Sequence, residues 1–335
     1  MSDEMNTKQE KEDMSFLSRK KAAWNDFRRL PKAEKKRRVI DCLLNNALYM
    51  LIFVFVIVVF IYNQRFLSFD SIVNITMQSA SRLLMALGVA GIIVLTGTDL
   101  SAGRCLGLCA CVCASLLQAN GTANKMFSGL SFGLWLIPVA LIISMLIGGL
   151  VGAFNGFMVS KFKLHPFIVT LGTQLILYGL VMWYVSLGQN NSAPIAGLDD
   201  RYLDLVTGGF KIGGVKIPNY FWIVLTVAIA IWFVWNKTRL GKNMFAVGTN
   251  PEAATVSGVS VAKTIVIVFA LAGILYGISA FVESARVSSN STATGVNYEL
   301  DAIAACVIGG VSFMGGIGKI KGVVIGVILL QLVNA

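Results

Sequence analysis

The stretch FWIVLTVAIAIWFVW, residues 221–235, carries no charge and a single hydroxyl, Thr226. Residues 48–61 are likewise free of charge. Several runs of this kind approach the ~20 apolar residues that take a helix across a bilayer. Of the 335 residues, 56% are hydrophobic and only 13% charged, where a soluble domain carries about a quarter charged. Backbone groups in lipid must pair internally, which calls for helices. Barrel strands would alternate apolar and polar residues, and these runs do not. The expected fold is therefore all-α, a polytopic transmembrane helical bundle.

The pattern predicts about nine spans: 43–62, 72–96, a run from Gly103 to Leu117, 135–159, 167–187, 221–235, 265–282, 300–314 and 322–333. Gly148, Gly152 and Gly156 recur every four residues in the fourth, so another helix can approach that face closely. Polar segments separate the spans, the longest being 188–219 and 236–263.

The net charge is +11. Much of it lies in a tail, residues 1–40, that includes Arg19, Lys20, Lys21, Arg28, Arg29, Lys32, Lys35, Lys36, Arg37 and Arg38. Because this run abuts a span, it reads as a cytoplasmic topology anchor for an anionic lipid surface and not as a nucleic-acid site. Leu17, Trp24 and Phe27 recur among its cations, as in a short helix lying on the membrane. The tail is too long for a signal peptide and lacks a cleavage site after the first apolar run. Counting spans from a cytoplasmic N-terminus puts Lys161/Lys163, Lys237/Lys242 and Lys319/Lys321 inside as well. It leaves 188–219 and 286–299 outside. This is the multi-pass arrangement of an inner-membrane protein.

Energy-transducing chemistry is missing. Gly241-Lys242 is followed by Asn and Gly318-Lys319 by Ile, so no phosphate-cradling loop forms. Ionisable residues sit near segment ends, with Arg82, Asp99 and Arg104 as the exceptions, unlike an ion-driven carrier. The lone His165 stands beside Pro166, so no Ser-His-Asp arrangement is readable. Cys105, Cys109, Cys111 and Cys113 crowd one apolar segment, and three of them share a helical face. They read as small packing residues and not as a metal site. The chain offers a pathway without a motor, and so implies a motor on another chain and no catalytic residues, cofactor or metal of its own.

The stretch GTNPEAATVSG, residues 248–258, carries helix punctuation at both ends. Asn250 is suited to cap a helix, Pro251 to its first position and Glu252 to its positive end. Gly258 suits the left-handed terminator. A helix over 251–257 is too short to stand alone. With Ala253, Ala254 and Ser257 on a small flat surface, it packs either on this protein or on a partner.

Three segments decide between these. NKTRLGKNMFAVGTNPEAATVSGV (236–259) resembles the coupling region of permeases from ATP-binding-cassette sugar importers. LGVAGIIVLTGTDLSAGR (87–104) and NYELDAIAACVIGGVSFMGGIG (297–318) resemble signatures of the branch that carries ribose, galactose and related monosaccharides, and are nearest the galactose/methyl-galactoside permeases. The resemblance runs from about residue 43 to the end. It implies a permease domain over 41–335 that is not itself an enzyme. It also implies an ATPase subunit docked on cytoplasmic loop 236–263, an external sugar-binding protein and a second copy of the permease. Its members continue beyond Asn334, which implies a tenth span missing from this sequence.

For such a subunit the coupling residues are Gly248, Asn250, Pro251, Glu252, Ala253, Ala254, Ser257 and Gly258. A sugar pathway needs weak, distributed hydrogen bonds. Its candidates are Asp99, Ser101, Asn155, Thr170, Thr173, Gln174 and Tyr178. Asp99 and Ser101 read equally as a helix cap. Gln174 and Tyr178, four apart, share one face and read equally as interhelical bonds. Glu299 and Asp301 suit a helix N-terminus. Asp199, Asp200, Arg201 and Asp204 in external loop 188–219 are candidates to seat the binding protein. A ribose or other pentose permease, a stand-alone secondary sugar carrier and a non-transporting scaffold are the competing classes.

Overall fold

The computed structural model describes residues 68–122, 125–129, 131–188, 192–212 and 215–334, with isolated positions before 68. The chain divides into two units, Met1–Val58 and Val59–Ala335, and every element below belongs to the second. The basic tail, its amphipathic stretch and most of the expected first span at 43–62 lie outside the described residues.

Five described helices are long and apolar enough to cross a bilayer: α1 (Phe69–Val94), α3 (Leu136–Phe162), α4 (Pro166–Val185), α6 (Tyr220–Lys237) and α9 (Val261–Val287). Two further apolar helices are shorter, α2 (Ala102–Leu116) and α11 (Ile320–Asn334). The expected eighth span at 300–314 is the 11-residue helix α10 (Tyr298–Ile308). At 1.5 Å per residue it covers about 16 Å, roughly half of a hydrocarbon core. Its end is set by Gly310, at φ 81°. There Val311 N–H reaches the Cys306 carbonyl and Gly310 N–H the Val307 carbonyl, the paired bonds of a glycine terminator.

α1 and α9 form the centre, and Leu84, Met85, Ala86, Ile92, Ile93, Val282 and Ala285 along them are fully or almost fully enclosed. α3 and α6 pack on them, α4 packs on α2 and α3, and all three turn large apolar side chains outward, among them Leu146, Leu150, Leu175, Trp183 and Trp232. Such a surface suits lipid and would be anomalous in water. The expected close face of α3 is occupied by α9. A Cβ added at Gly148 would stand 2.1 Å from the Gly273 carbonyl oxygen, and one at Gly152 would stand 2.1 Å from that of Phe269.

α1 is stopped without glycine in the left-handed position. Thr96 takes φ 62°, with Thr96 N–H bonded to the Ile93 carbonyl and Gly97 N–H to that of Ile92. The chain then turns into α2. His165 caps α4 by accepting the Phe167 N–H at 3.3 Å, with Pro166 next in the first turn, which accounts for the lone histidine.

Segment 286–299, expected as a polar external loop, does not stand free but packs on the bundle. After the two-residue strand β4 (Ser289–Asn290) it runs back along α2. The Ser291 carbonyl meets the Cys111 thiol, and Thr292 accepts from Arg104. A Cβ at Gly107 would come within 2.5 Å of the Thr294 oxygen, and one at Gly103 within 2.3 Å of that of Gly295. Residues 103, 107 and 111 are one helical stripe, so this irregular backbone is packed closely along α2 through positions held by small residues.

The polar segment 188–219 forms β1 (Ile195–Ala196), α5 (Asp200–Thr207) and a hairpin of β2 (Gly209–Ile212) with β3 (Val215–Pro218). β1 pairs antiparallel with β4. Gln118, just past α2, bridges to Leu198. At the opposite end, Gly97 neighbours Pro166 and Gly318 neighbours Trp235. The helix termini bearing Lys163, Lys237 and Lys319 therefore gather together.

The α3–α9 seam yields a direct test. Gly152→Ala forces a methyl against backbone and should cost about 1–3 kcal/mol, as overpacking does. Gly149→Ala meets a movable side-chain atom, Ile274 Cγ1, at 3.1 Å and should be mild. Thermal melts of the detergent-purified protein should show a lowered Tm for the first alone. Equal melts would mean that the two helices are not in backbone contact.

Candidate functional site

Five of the seven pathway candidates lie in one buried network between α1 and its neighbours. Asp99 Oδ1 accepts from Ser101 N–H at 2.9 Å and from Ser101 Oγ at 2.6 Å. Its Oδ2 accepts from Tyr276 on α9 at 3.1 Å. Asn155 on α3 donates to Ser101 Oγ at 2.9 Å and accepts from Thr173 on α4 at 2.6 Å. Thr170 Oγ1 accepts the Leu100 N–H and donates to the Thr98 carbonyl. The α1–α2 turn is thus tied to three surrounding helices by side-chain bonds. Such a fully connected network fixes one arrangement of the helices it joins.

Cap chemistry at α2 differs from expectation. Ser101 stands at the N-cap position and makes no cap bond, because its hydroxyl serves Asp99 and Asn155 instead. Tyr276 is a member of the network that sequence reasoning missed. Its only signal is a lone tyrosine in the apolar run 265–282.

The other two candidates lie outside this network. Gln174 and Tyr178 share a face of α4, as their spacing requires. Gln174 Nε2 donates to Glu299 Oε1 at 3.4 Å. The Tyr178 ring, partly exposed, lies under the Arg104 guanidinium at 4.4 Å. Glu299 and Asp301 do stand in the first turn of α10, but each also has a partner, since Asp301 meets Arg82 at 3.7 Å.

A second polar cluster is one that the sequence does not announce. Glu283, fully enclosed near the end of α9, accepts from Ser81 at 2.5 Å and Tyr298 at 2.8 Å. Arg286 grips it with two bonds, at 2.9 and 2.7 Å. Arg82 lies over the Tyr298 ring and bonds Gln331 on α11. Two acids and two arginines are therefore paired, the enclosed Glu283 with Arg286 and Asp301 with Arg82, the last three half-buried; an isolated charge at Glu283 would be costly. Glu283, Arg286 and Asp301 sit near span ends in the sequence, which conceals this, while Arg82 stands out there as an ionisable residue inside a span. Cys105, Cys109, Cys111 and Cys113 are buried free thiols, and Cys109 points at the Ser144 carbonyl.

The punctuated stretch 248–258 forms helix α8 (Pro251–Val256), directly after α7 (Arg239–Thr249). Asn250 Oδ1 accepts the Ala253 N–H at 3.0 Å, and Gly258 closes the helix at φ 81°. Its expected flat surface is corrected. Ala254 is only 4% exposed and packs into the core beside Val259. Ala253 and Ser257 face outward with Pro251, Glu252 and Thr255. Val256, unremarked in the sequence, is 90% exposed. Gly248 abuts the end of α1, where a Cβ would stand 1.9 Å from the Val94 oxygen.

At the other end, Asp199 caps α5 through the Arg201 N–H at 3.0 Å. Asp200, Arg201 and Asp204 are exposed. Tyr202 anchors α5 by donating to the Phe281 carbonyl at 2.6 Å.

Residues 71–335 match the family described as the permease component of branched-chain amino acid transport systems. The galactose/methyl galactoside import permease protein of Haemophilus influenzae is 40% identical over 303 residues, which is 90% of this chain and 89% of that protein. Its Escherichia coli counterpart is 41% identical over 305 residues with the same coverage of both. The ribose import permease protein of Haemophilus influenzae is 32% identical over 294 residues, 87% of this chain and 84% of that one. No solved structure matches the chain. A bundle of apolar helices tied by an interior polar network and matched from residue 71 to its last residue belongs to this family of membrane transport permeases.

Proposed function

We propose that the chain is the membrane-spanning subunit of an ATP-driven importer that carries a monosaccharide, galactose, glucose or a methyl galactoside, into the cytoplasm. The observation that carries this reading is the 40% identity, over 90% of the chain, to a galactose/methyl galactoside import permease. Identity to the ribose permeases is lower, at 32–34%. A partner ATPase supplies the energy, an external binding protein delivers the sugar, and a second copy of the permease completes the pathway.

In this reading α8 is the docking helix for the ATPase, with Asn250 and Gly258 fixing its ends and Gly248 seating it against α1. Val256, Ala253 and Ser257 supply its outward face, while Ala254 holds it to the bundle. Gln174 and Tyr178 meet the sugar from the open face of α4. Asp99, Ser101, Asn155, Thr170 and Thr173 brace the helices around it. Asp200, Arg201 and Asp204 on α5 guide the binding protein, and Asp199 sets the helix that presents them. The basic helix ends lie on the side of α8, which favours that side as cytoplasmic, together with the N-terminal tail.

Vesicles holding the permease with its ATPase and binding protein should accumulate labelled galactose, and excess glucose should compete where excess ribose does not. Ribose competing equally would move the chain to the pentose branch. Asp200→Cys should react with a membrane-impermeant maleimide added outside intact cells. Labelling only after lysis would invert the topology. Val256→Asp places a carboxylate in the docking contact without a partner. A loss of 2–3 kcal/mol there is about a 30- to 150-fold loss in association. Washed membranes should retain normal permease and little ATPase. Undiminished ATPase would remove α8 from the docking role.

A further inference from the structure

Beside α8 lies a second exposed element that the docking helix does not explain. Between α10 and α11 the chain makes a tight loop over residues 312–317. Ser312 N–H bonds the Ile317 carbonyl at 3.0 Å, and Gly315 N–H bonds that of Ser312 at 3.0 Å. Met314 N–H bonds the Ser312 hydroxyl at 3.2 Å. Gly315 and Gly316 both take positive φ, 80° and 65°, which allows so sharp a return. The loop is therefore a built structure and not a slack connection.

It is fastened to the docking region. Gly316 N–H donates to the Val94 carbonyl at 2.9 Å, the same oxygen that Gly248 abuts. A Cβ at Gly315 would come within 2.4 Å of the Gly248 oxygen, and one at Gly316 within 2.2 Å of Thr249 Oγ1. Thr249 is two residues before α8 begins. Loop, helix and the end of α1 form one junction in which backbone touches backbone.

What this loop presents is apolar. Met314 is 86% exposed and Ile317 63%, with Phe313 beside them. Lys319 and Lys321, also exposed, follow at once. Lipid is a poor cover for this tip. Its backbone is irregular, and none of the bonds above engages the carbonyls of Phe313 or Met314. Such groups avoid hydrocarbon. An ordered, apolar, methionine-bearing tip in water, next to a docking helix, matches protein contact surfaces, where Met is enriched and a basic rim steers an acidic partner.

We propose that loop 312–317 is a second docking element for the ATPase subunit, engaging an apolar cleft through Phe313, Met314 and Ile317 with Lys319 and Lys321 at its rim. This rests on the reading of the chain as the permease of an ATP-driven importer and deepens it. The ATPase then grips the permease at α8 and at this loop, on both sides of the Gly248–Gly316 junction.

The test uses the full complex in native membranes. Met314→Cys, labelled with benzophenone maleimide and irradiated, should give a covalent permease–ATPase product that the unsubstituted protein, labelled alike, does not give. The five described native thiols are buried and should take little label. Met314→Asp should lower ATPase retention on washed membranes at least tenfold at unchanged permease content. Crosslinks only to lipid or to a second permease, with retention unchanged, would overturn the proposal. Val256→Asp, run in parallel, separates the two readings. If it releases the ATPase while Met314→Asp does not, the docking helix stands and the loop proposal falls. If neither releases it, both fall.

Discussion

At Gly148 there is room for a hydrogen and not for a methyl, because the carbonyl of Gly273 already occupies that space. The same exclusion recurs where segment 291–295 lies along α2, where Gly309 faces Gly322, and where Gly248 meets Val94. Water cannot drive helices together inside a bilayer. Close backbone contact and its dispersion energy do much of that work instead. Each seam therefore depends on positions without a Cβ, and the polar networks form only because these seams bring their helices within hydrogen-bond reach. The bond from Asn155 to Ser101 crosses from α3 to the α1–α2 turn, and α3 is held in place by its glycine face.

Elements that depend on local chemistry are legible in the amino-acid sequence. The apolar runs mark helices at 72–96, 135–159, 167–187, 221–235 and 265–282 with boundaries near those observed. The caps of α8 are legible to the residue, since a side-chain oxygen, a proline and a left-handed glycine act within a few residues of themselves. Asp99 and Ser101 in the turn between two spans, and Asn155, Thr170 and Thr173 within spans, are legible as polar candidates, but that these five join one network while Gln174 and Tyr178 do not is decided by packing.

What depends on packing is not legible there. Ala254 and Val256 belong to one two-turn helix, and nothing local says which turns inward; the neighbouring core around Met244 and Val259 decides it. Residues 286–299 are polar and read as solvent-facing, yet they run along α2. Gly103-x3-Gly107 is the available signal, the same small-residue spacing that marks Gly148 and Gly152. Glu283 and Arg286 look like span-end charges. Only the approach of Ser81 and Tyr298 from other helices encloses Glu283.

The junction of α1, α7 and loop 312–317 also meets the interior network. The Val94 carbonyl takes the Gly316 N–H and fills the space beside Gly248. Five residues on, Asp99 anchors the interior network. Between them stand Thr96, a β-branched residue held at positive φ, and Gly97, whose added Cβ would meet Ile92 Cγ2 at 2.9 Å. A branched residue in that conformation is strained and persists only where its surroundings fix it. Here the fixing groups come from both sides. The Thr96 methyl lies where a Cβ at Gly315 would come within 2.4 Å of it, and Pro166 stands beside Gly97. A shift of α7 or of loop 312–317 must therefore either carry the α1–α2 turn with it or open a gap in a close-packed junction. Packed interiors resist such gaps, so the turn bearing Asp99 and Ser101 cannot stay in register with Asn155 and Thr173 while the junction beneath it moves.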